Sequence, residues 1–449
     1  MFHRVFRLRS DGVPEIQAFS AIRYDVERFG RDWSAVIAPP YDVLDASDKD
    51  RLLVGSRYNI VAVDLPVAPA REAGRPEVYE EAGRTLREWL AAGVLRRDPA
   101  PGLYICHQMC EVAGQQLTRR MLLTVMRIEE FAKGVVIPHE RTYAGPKEDR
   151  LRLMRATRCQ LSPVFGLYGD PSNSVAAATD PGERPPDVTA SLDGVTHRLW
   201  AETDAASIAH VRMLLDGARV YIADGHHRYL TAMSYRDELA AAAGGRLPPD
   251  HPAQFVLVGL CAMEDPGCVI LPTHRVLSGM GPVSAADLTR LWAAGCSFSK
   301  APSASVETLV SPDAGHDVAI CDGAEEGFYV GTFTDRGILA RLAPERSDAW
   351  RKLDLAYLHR YLIDELLTRK VLAGTPPTIR YTPSAEEAQR LARESRGVAV
   401  LVKPTQLSQL RAVADAGDLM PPKSTYFYPK LATGLVIYPL WSGSGDGRA

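Results

Sequence analysis

The stretch RVYIADGHHRYLTAMSYRDEL, Arg219 to Leu239, ends a short apolar run on Asp224 and turns at Gly225. It then places His226, His227 and Arg228 in a row. The run before Asp224 is β-branched and aromatic, which reads as a strand. The residues after it are rich in Ala, Leu and Met, with Tyr229, Ala232 and Met233 on one side and Gly244-Gly245 as a stop, which predicts a helix. Gly225 therefore falls at a strand-to-helix turn, where a residue without Cβ takes positive φ or lets a ligand approach the backbone. The first turn of a helix presents N–H groups and about half a positive charge, a ready anion site. Arg228 can fork onto two phosphate oxygens, and the two imidazoles add donors. Asp224 repels phosphate, so it fits only as a holder of a bridging divalent cation or as the acceptor of a hydroxyl proton. The bland alternative makes Asp224 a helix cap and the histidines polar surface.

Three other constellations carry ionisable groups. PHERTYAGPKEDR holds His139, Glu140, Arg141, Thr142 and Lys147 in a loop between Pro138 and Pro146. Glu140 is the candidate general base there, with His139, Arg141 and Lys147 to counter negative charge. KSTYFYPK brings Lys423, Ser424 and Lys430 as phosphate contacts, with Tyr426 or Tyr428 to stack on a base. PTHR ends a strand with Thr273, His274 and Arg275, and APPYD ends another with Tyr41 and Asp42. If such strands lie side by side, both open onto one ligand-binding edge. For each of these segments, ordinary turn or surface chemistry is the competing reading. CHQMC, Cys106 to Cys110, reads as strand rather than a zinc site, since no second cysteine pair follows. No Gly-x-Gly-x-x-Gly, His-Glu-x-x-His, Gly-x-Ser-x-Gly or Walker loop is found, so dinucleotide, zincin, serine-hydrolase and P-loop readings lose their usual support.

The elements that must position these groups read as mixed α/β. The chain has 449 residues and a net charge of -3, which provides no global field for nucleic acid or an anionic membrane. Seven scattered cysteines fit a reducing compartment. Neither a signal-peptide core nor a run of about 18 apolar residues is seen, so a cytoplasmic protein without a membrane span is expected. Composition divides the chain into residues 1–100, an N-terminal α/β segment; 101–281, the core with the PHERT loop and DGHHR turn; and 282–449, a C-terminal α/β domain. WSAVIAPPYDVL reads as a strand, residues 77–92 as a helix, and residues 102–128 as a hairpin around Gly114. Residues 146–158 read as a charged helix, 170–187 as an exposed excursion, and LDLAYLHRYLIDELLTR as an amphipathic helix. Residues 377–417 give strand, helix, strand, helix.

The whole chain resembles the bacterial and archaeal family of unknown function 1015. The matching pieces are VIAPPYDVL, YNIVAVDLP, PHERT, GPKEDRLRLMRAT, LSPVFGLY, YIADGHHRYLTA, LPTHRV and MPPKSTYFYPKLATGLVI. The DGHHR turn, between strand and helix, also resembles the corresponding element of the ParB/sulfiredoxin-like fold, in particular its free serine kinases. That likeness implies a mixed-sheet core of this kind, with Asp224 beside metal or hydroxyl and Gly225, His226, His227 and Arg228 at nucleotide phosphates. Those kinases place a glutamate upstream of the turn; here the candidates are Glu140 and Glu202, 84 and 22 positions before Asp224.

The expected function is a nucleotide-dependent phosphotransferase acting on a small hydroxylated metabolite, with free serine as the leading acceptor by resemblance. ATP or ADP would bring Mg²⁺, held by nucleotide phosphates and Asp224. The rival readings are a nucleotide-binding switch without a metabolic acceptor and a metal-dependent hydrolase using His226, His227 and Asp224. Adjacent histidines at a helix start point about 100° apart, awkward for one ion. The expected partners are nucleotide and small substrate, without membrane or nucleic acid, and a homodimer is compatible with the sequence.

Overall fold

A computed structural model describes residues 15–441 except 71, 142–143, 282, 302–308, 310 and 323–327. The chain forms two compact units. The first comprises residues 1–138, 142–268 and 429–449, and the second 139–141 and 269–428.

A nine-stranded mixed sheet organises the first unit. Its strands in chain order are β1 (Ile16–Gln17), β2 (Leu103–Val112), β3 (Gln115–Arg127), β4 (Val136–Ile137) and β5 (Val164–Tyr168), followed by β6 (Val188–Leu192), β7 (Val195–Glu202), β8 (Val220–Asp224) and β9 (Phe255–Ala262). The spatial order is β4-β8-β5-β9-β3-β2-β7-β6, with β1 on β3. The pairs β8–β4 and β9–β5 are parallel and the rest antiparallel. The chain is therefore mixed α/β, as its pattern predicts. β2 and β3 form the expected hairpin, turning at Ala113 and Gly114, both with positive φ (50° and 76°), the geometry that matches strand twist. Every residue of β9 is buried, which explains its uninterrupted apolar run.

Helix α1 (Pro76–Ala91) starts with proline at its first turn and buries Tyr79, Ala82, Leu86 and Trp89. Gly83 lets it approach α2 (Ala144–Thr157) closely, since a Cβ there would sit 2.4 Å from the Ala156 carbonyl oxygen. Helix α3 (Ala205–Leu214) is capped by Asp204, whose side chain accepts from the Ser207 amide. Helix α4 (His226–Ala242) follows β8 directly.

The expected strand at WSAVIAPPYDVL does not form. The Val36 and Ile37 amides turn back to the Trp33 carbonyl, and Ala38 makes only an isolated bridge to Thr433. The buried Asn59 side chain donates to the Ala35 and Ile37 carbonyls at 3.0 and 2.9 Å, taking acceptors that a neighbouring strand would need. The apolar run YNIVAVDLP forms a helical turn at Val61–Asp64.

The second unit is built on a six-stranded antiparallel sheet. After β10 (Val269–Leu271), its strands are β11 (His274–Ser278), β12 (Cys296–Ala301), β13 (Val318–Cys321), β14 (Phe328–Phe333), β15 (Thr378–Thr382) and β16 (Val398–Val402), in the order β12-β14-β13-β16-β11-β15. Trp292, Tyr357, Leu362, Leu366 and Val400 lie in its core. The amphipathic segment after Asp354 is helical, but its turns widen to i→i+5 bonding over Tyr357–Arg369. β10 pairs with β17 (Tyr426–Tyr428).

Candidate functional site

The DGHHR segment forms the predicted turn, with one added feature. The register between β8 and β5 shifts after Ile222, so Ala223 is an extra residue immediately before Asp224. Such a bulge re-aims the side chain that follows it. Gly225 has φ +89° and ψ 26°, and the first intrahelical bond runs from the Tyr229 amide to the Gly225 carbonyl at 3.0 Å. The amides of residues 226–228 precede that bond and so project beyond the helix start.

Arg228 explains why the turn residue must be glycine. A Cβ on Gly225 would lie 2.9, 3.0 and 3.1 Å from Arg228 Nε, Cζ and Nη2. The guanidinium thus folds back across the glycine. Its Nη1 donates to the Pro163 carbonyl and its Nη2 to Asp224 Oδ2 at 3.3 Å. Lys430 Nζ lies 3.4 Å from the same carboxylate oxygen. Burial alone would push the Asp224 carboxyl up. Lys430, then Arg228 and His226, with the Gly225 amide, overcome that and hold it well below the usual carboxylate range. Burial opposes the Arg228 charge in turn, and Asp224 ahead of Asp42, Tyr41 and Asp64 more than restores it. His226 is buried and His227 half-buried.

A second charged cluster adjoins Arg228. Arg150 on α2 donates from Nε to Asp149 Oδ2 at 2.7 Å and from Nη1 to the Asp64 carbonyl at 2.6 Å and Oδ1 at 3.4 Å. Its Nη2 is 2.6 Å from Asp149 Oδ2 but poorly aligned, so that contact is an ion pair rather than a second hydrogen bond. Tyr79 donates to Asp149 Oδ1 at 2.6 Å, and Ser162 to Asp64 Oδ2 at 3.3 Å. The Arg150 guanidinium lies over the Tyr41 ring, 4.0 Å from its centre. Burial raises the Asp64 carboxyl pKa, although Arg150 and Arg228 pull against it. Between these groups is a cavity of about 40 Å³, lined by Tyr41, Asp64, Arg150, Ser162 and Arg228 together with Gln160, Thr231 and apolar side chains such as Leu153, Met154 and Val256.

Of the residues expected to bind phosphate, Gly225, His226, His227 and Arg228 thus share one turn with Asp224, and Lys430 joins them. Lys147 lies on α2, and its carbonyl accepts from Thr231 Oγ1 of α4 at 3.5 Å. The second unit collects His139, Thr273, His274, Arg275, Lys423 and Ser424. There the fully buried Arg275 donates from Nε to His359 Nε2 at 3.2 Å, from Nη1 to the Thr273 carbonyl, and from Nη2 to the Lys423 carbonyl at 3.0 Å. Burial lowers its pKa to about 10 and those of His274 and His359 to about 4 and about 3. His274 Nδ1 accepts from the Val402 amide at 3.2 Å. Ser424 donates to the Pro421 carbonyl at 2.6 Å, and His139 Nε2 is 3.0 Å from Thr425 Oγ1. Glu140 is half-buried and Arg141 exposed; Thr142 lies outside the described residues.

Glu202 is removed as a base for the turn. It ends β7, five strands from β8, which at about 4.8 Å per step is roughly 24 Å. Its carboxylate accepts from the Asp204 amide at 2.9 Å. The residues that sequence reasoning missed are Asp64, Asp149, Arg150 and Ser162. A signal for two of them was available, since Asp149 and Arg150 share a helical face with Leu153, Met154 and Thr157.

Among the described residues, no group of three or more His, Cys, Asp and Glu side chains is arranged to hold a metal ion. Also among them, no helix is long and apolar enough to cross a membrane. All seven cysteines are unpaired and buried.

Residues 16–356 match the family described as protein of unknown function (DUF1015). No curated protein matches the chain. Solved structures overlap it at low scores. A free serine kinase in complex with AMP has 12% identity and a TM-score of 0.32, covering 70% of this chain and 91% of that one. SbnI with a C-terminal truncation, from Staphylococcus aureus, has 11% identity and a TM-score of 0.33, covering 71% and 87%. A conserved hypothetical protein from Pyrococcus furiosus has 12% identity and a TM-score of 0.32, covering 70% and 94%.

Proposed function

We propose that this chain, which belongs to the DUF1015 family, is a nucleotide-dependent phosphotransferase acting on a small hydroxylated metabolite, free serine being the first acceptor to try. The observation that carries the reading is the Gly225 turn, where one carboxylate is ion-paired to both Arg228 and Lys430 at the start of a helix. Phosphoryl transfer asks a protein mainly for positioning and charge neutralisation. The turn supplies backbone amides, a guanidinium and an ammonium for a polyanion. A carboxylate as acidic as Asp224 accepts a proton poorly. Its role is then to orient the acceptor hydroxyl and to face a cation, rather than to deprotonate the hydroxyl in advance.

Asp224 is the one acid at the turn itself, which suits Mg²⁺ held chiefly by nucleotide phosphates with a single protein carboxylate. When bound there, Mg²⁺ would neutralise charge on the transferring group.

The test is incubation of the full chain with labelled nucleotides, Mg²⁺ and pooled amino acids and sugars, followed by a search for a phosphorylated product. Asp224→Asn is expected to abolish transfer. Arg228→Ala is expected to weaken nucleotide binding about 10- to 100-fold, the value of one charge-assisted hydrogen bond. Glu140→Gln in the same assay tests the sequence-derived proton acceptor. Nucleotide consumed without any phosphorylated acceptor, or turnover unchanged in both turn variants, would remove the reading.

A further inference from the structure

We propose that the cavity bounded by Tyr41, Asp64, Arg150, Ser162 and Arg228 is the acceptor subsite, and that it takes a short, net-neutral hydroxy compound in preference to an anionic one. That its ligand is an acceptor depends on the phosphotransfer reading; the class of ligand depends only on the cavity.

Size sets the first limit. A cavity of about 40 Å³ holds about three waters, or on the order of 100 Å³ of liquid. A molecule of about six or seven heavy atoms fills that space, and a nucleotide does not enter it. Polarity sets the second. The lining presents two guanidinium groups, a carboxylate and the Ser162 and Tyr41 hydroxyls, together with Gln160 and Thr231 and with apolar side chains such as Leu153, Met154 and Val256. A small ligand with several hydrogen-bonding groups on a short carbon skeleton matches this mixed lining. Among the described residues, the buried Arg228 Nε has no hydrogen-bond partner.

Charge sets the third limit. Arg150 faces Asp64 and Asp149, and Arg228 shares Asp224 with Lys430. Asp42 also acts on Arg228, so the three cations face four carboxylates and the cluster carries no excess positive charge as it stands. A monoanion entering it adds an uncompensated charge in a buried place, which is unfavourable. A zwitterion or a neutral alcohol adds none, and its ammonium or hydroxyl has Asp64 as an acceptor. The arrangement therefore discriminates by net charge among ligands of one size.

Serine and glycerate separate the cases, since they share a skeleton and differ by an ammonium in place of one hydroxyl. Calorimetric titration of the full chain without nucleotide is expected to show serine binding at least about tenfold more tightly. Asp64→Asn removes one of the cluster's carboxylates and is expected to narrow the serine preference. Glycerate binding as tightly as serine to the unmodified protein, or neither binding, overturns the assignment; this comparison needs no variant to fold. Serine preference without any phosphorylated product keeps the pocket and removes the phosphotransfer reading. Phosphoryl transfer to a preferred anionic acceptor keeps phosphotransfer and overturns the pocket.

Discussion

Gly225→Ala tests the construction of the turn directly. Two separable penalties follow from the geometry. The backbone at φ +89° is a conformation that costs a residue with Cβ about 1 to 2 kcal/mol. The new methyl would also stand 2.9 to 3.1 Å from three atoms of the Arg228 guanidinium. That group is buried and tied to the Pro163 carbonyl and Asp224, so moving it loses charge-assisted bonding of about 1.5 to 3 kcal/mol. The single variant is expected to lose about 3 kcal/mol, of which only the backbone part, about 1 kcal/mol, survives when Arg228 is already alanine. A double-mutant cycle of Gly225→Ala and Arg228→Ala, read by urea denaturation, should therefore give a coupling of about 2 kcal/mol. A coupling below about 0.5 kcal/mol would mean that the guanidinium does not rest on the glycine, and the account of this motif would fail.

Two further outcomes follow from the buried charges. Arg150→Met strands Asp64 and Asp149, whose side chains are almost wholly buried, and is expected to cost about 3 to 5 kcal/mol in the same denaturation assay, with partial recovery on adding Asp64→Asn. A loss under about 1 kcal/mol would show that the cluster is solvated. Lys430→Met removes the strongest of the charges that depress the Asp224 carboxyl. A depressed acid stabilises the fold above its unfolded value of about 3.9 and loses that contribution as pH falls through the folded value. The stability gap between the unmodified protein and Lys430→Met should thus be full near pH 7 and shrink toward pH 2. A gap independent of pH, measured from urea midpoints, would refute the pairing.

What the sequence made legible was local. The hairpin at Ala113-Gly114 and the strand–glycine–helix junction are each specified by a few consecutive residues, and each forms as expected. The apolar run at WSAVIAPPYDVL misled because apolar density reports burial, not backbone period. Trp33, Val36 and Ile37 are indeed buried, yet their backbone partners are a turn and the side chain of Asn59, more than 20 residues away. No pattern within the run itself encodes that amide. The bulge at Ala223 was equally hidden, since it is defined by the partner strand's register rather than by any residue type.

The site divides along the same line. DGHHR announces its chemistry because the carboxylate, the glycine and the guanidinium fall within five positions, and helical geometry returns Arg228 to Asp224 at i,i+4. Lys430 reaches the same carboxylate from 206 positions away. The KSTYFYPK segment reads as one set of phosphate contacts in sequence, but its two lysines have different fates. Lys430 groups with the turn, while the Lys423 carbonyl is bound by Arg275 within the other unit. The buried cluster on α2 was missed for a different reason. Asp149 and Arg150 stand in a helix crowded with charge, GPKEDRLRLMR, where a solvated face is the ordinary reading. Their position on the face of Leu153 and Met154 is what contradicts it. Charged residues in phase with the apolar stripe of a helix have to be paired if that stripe is buried. Here Asp64 and Tyr79 provide the pairing, and Arg150 so held forms one wall of the cavity with Arg228.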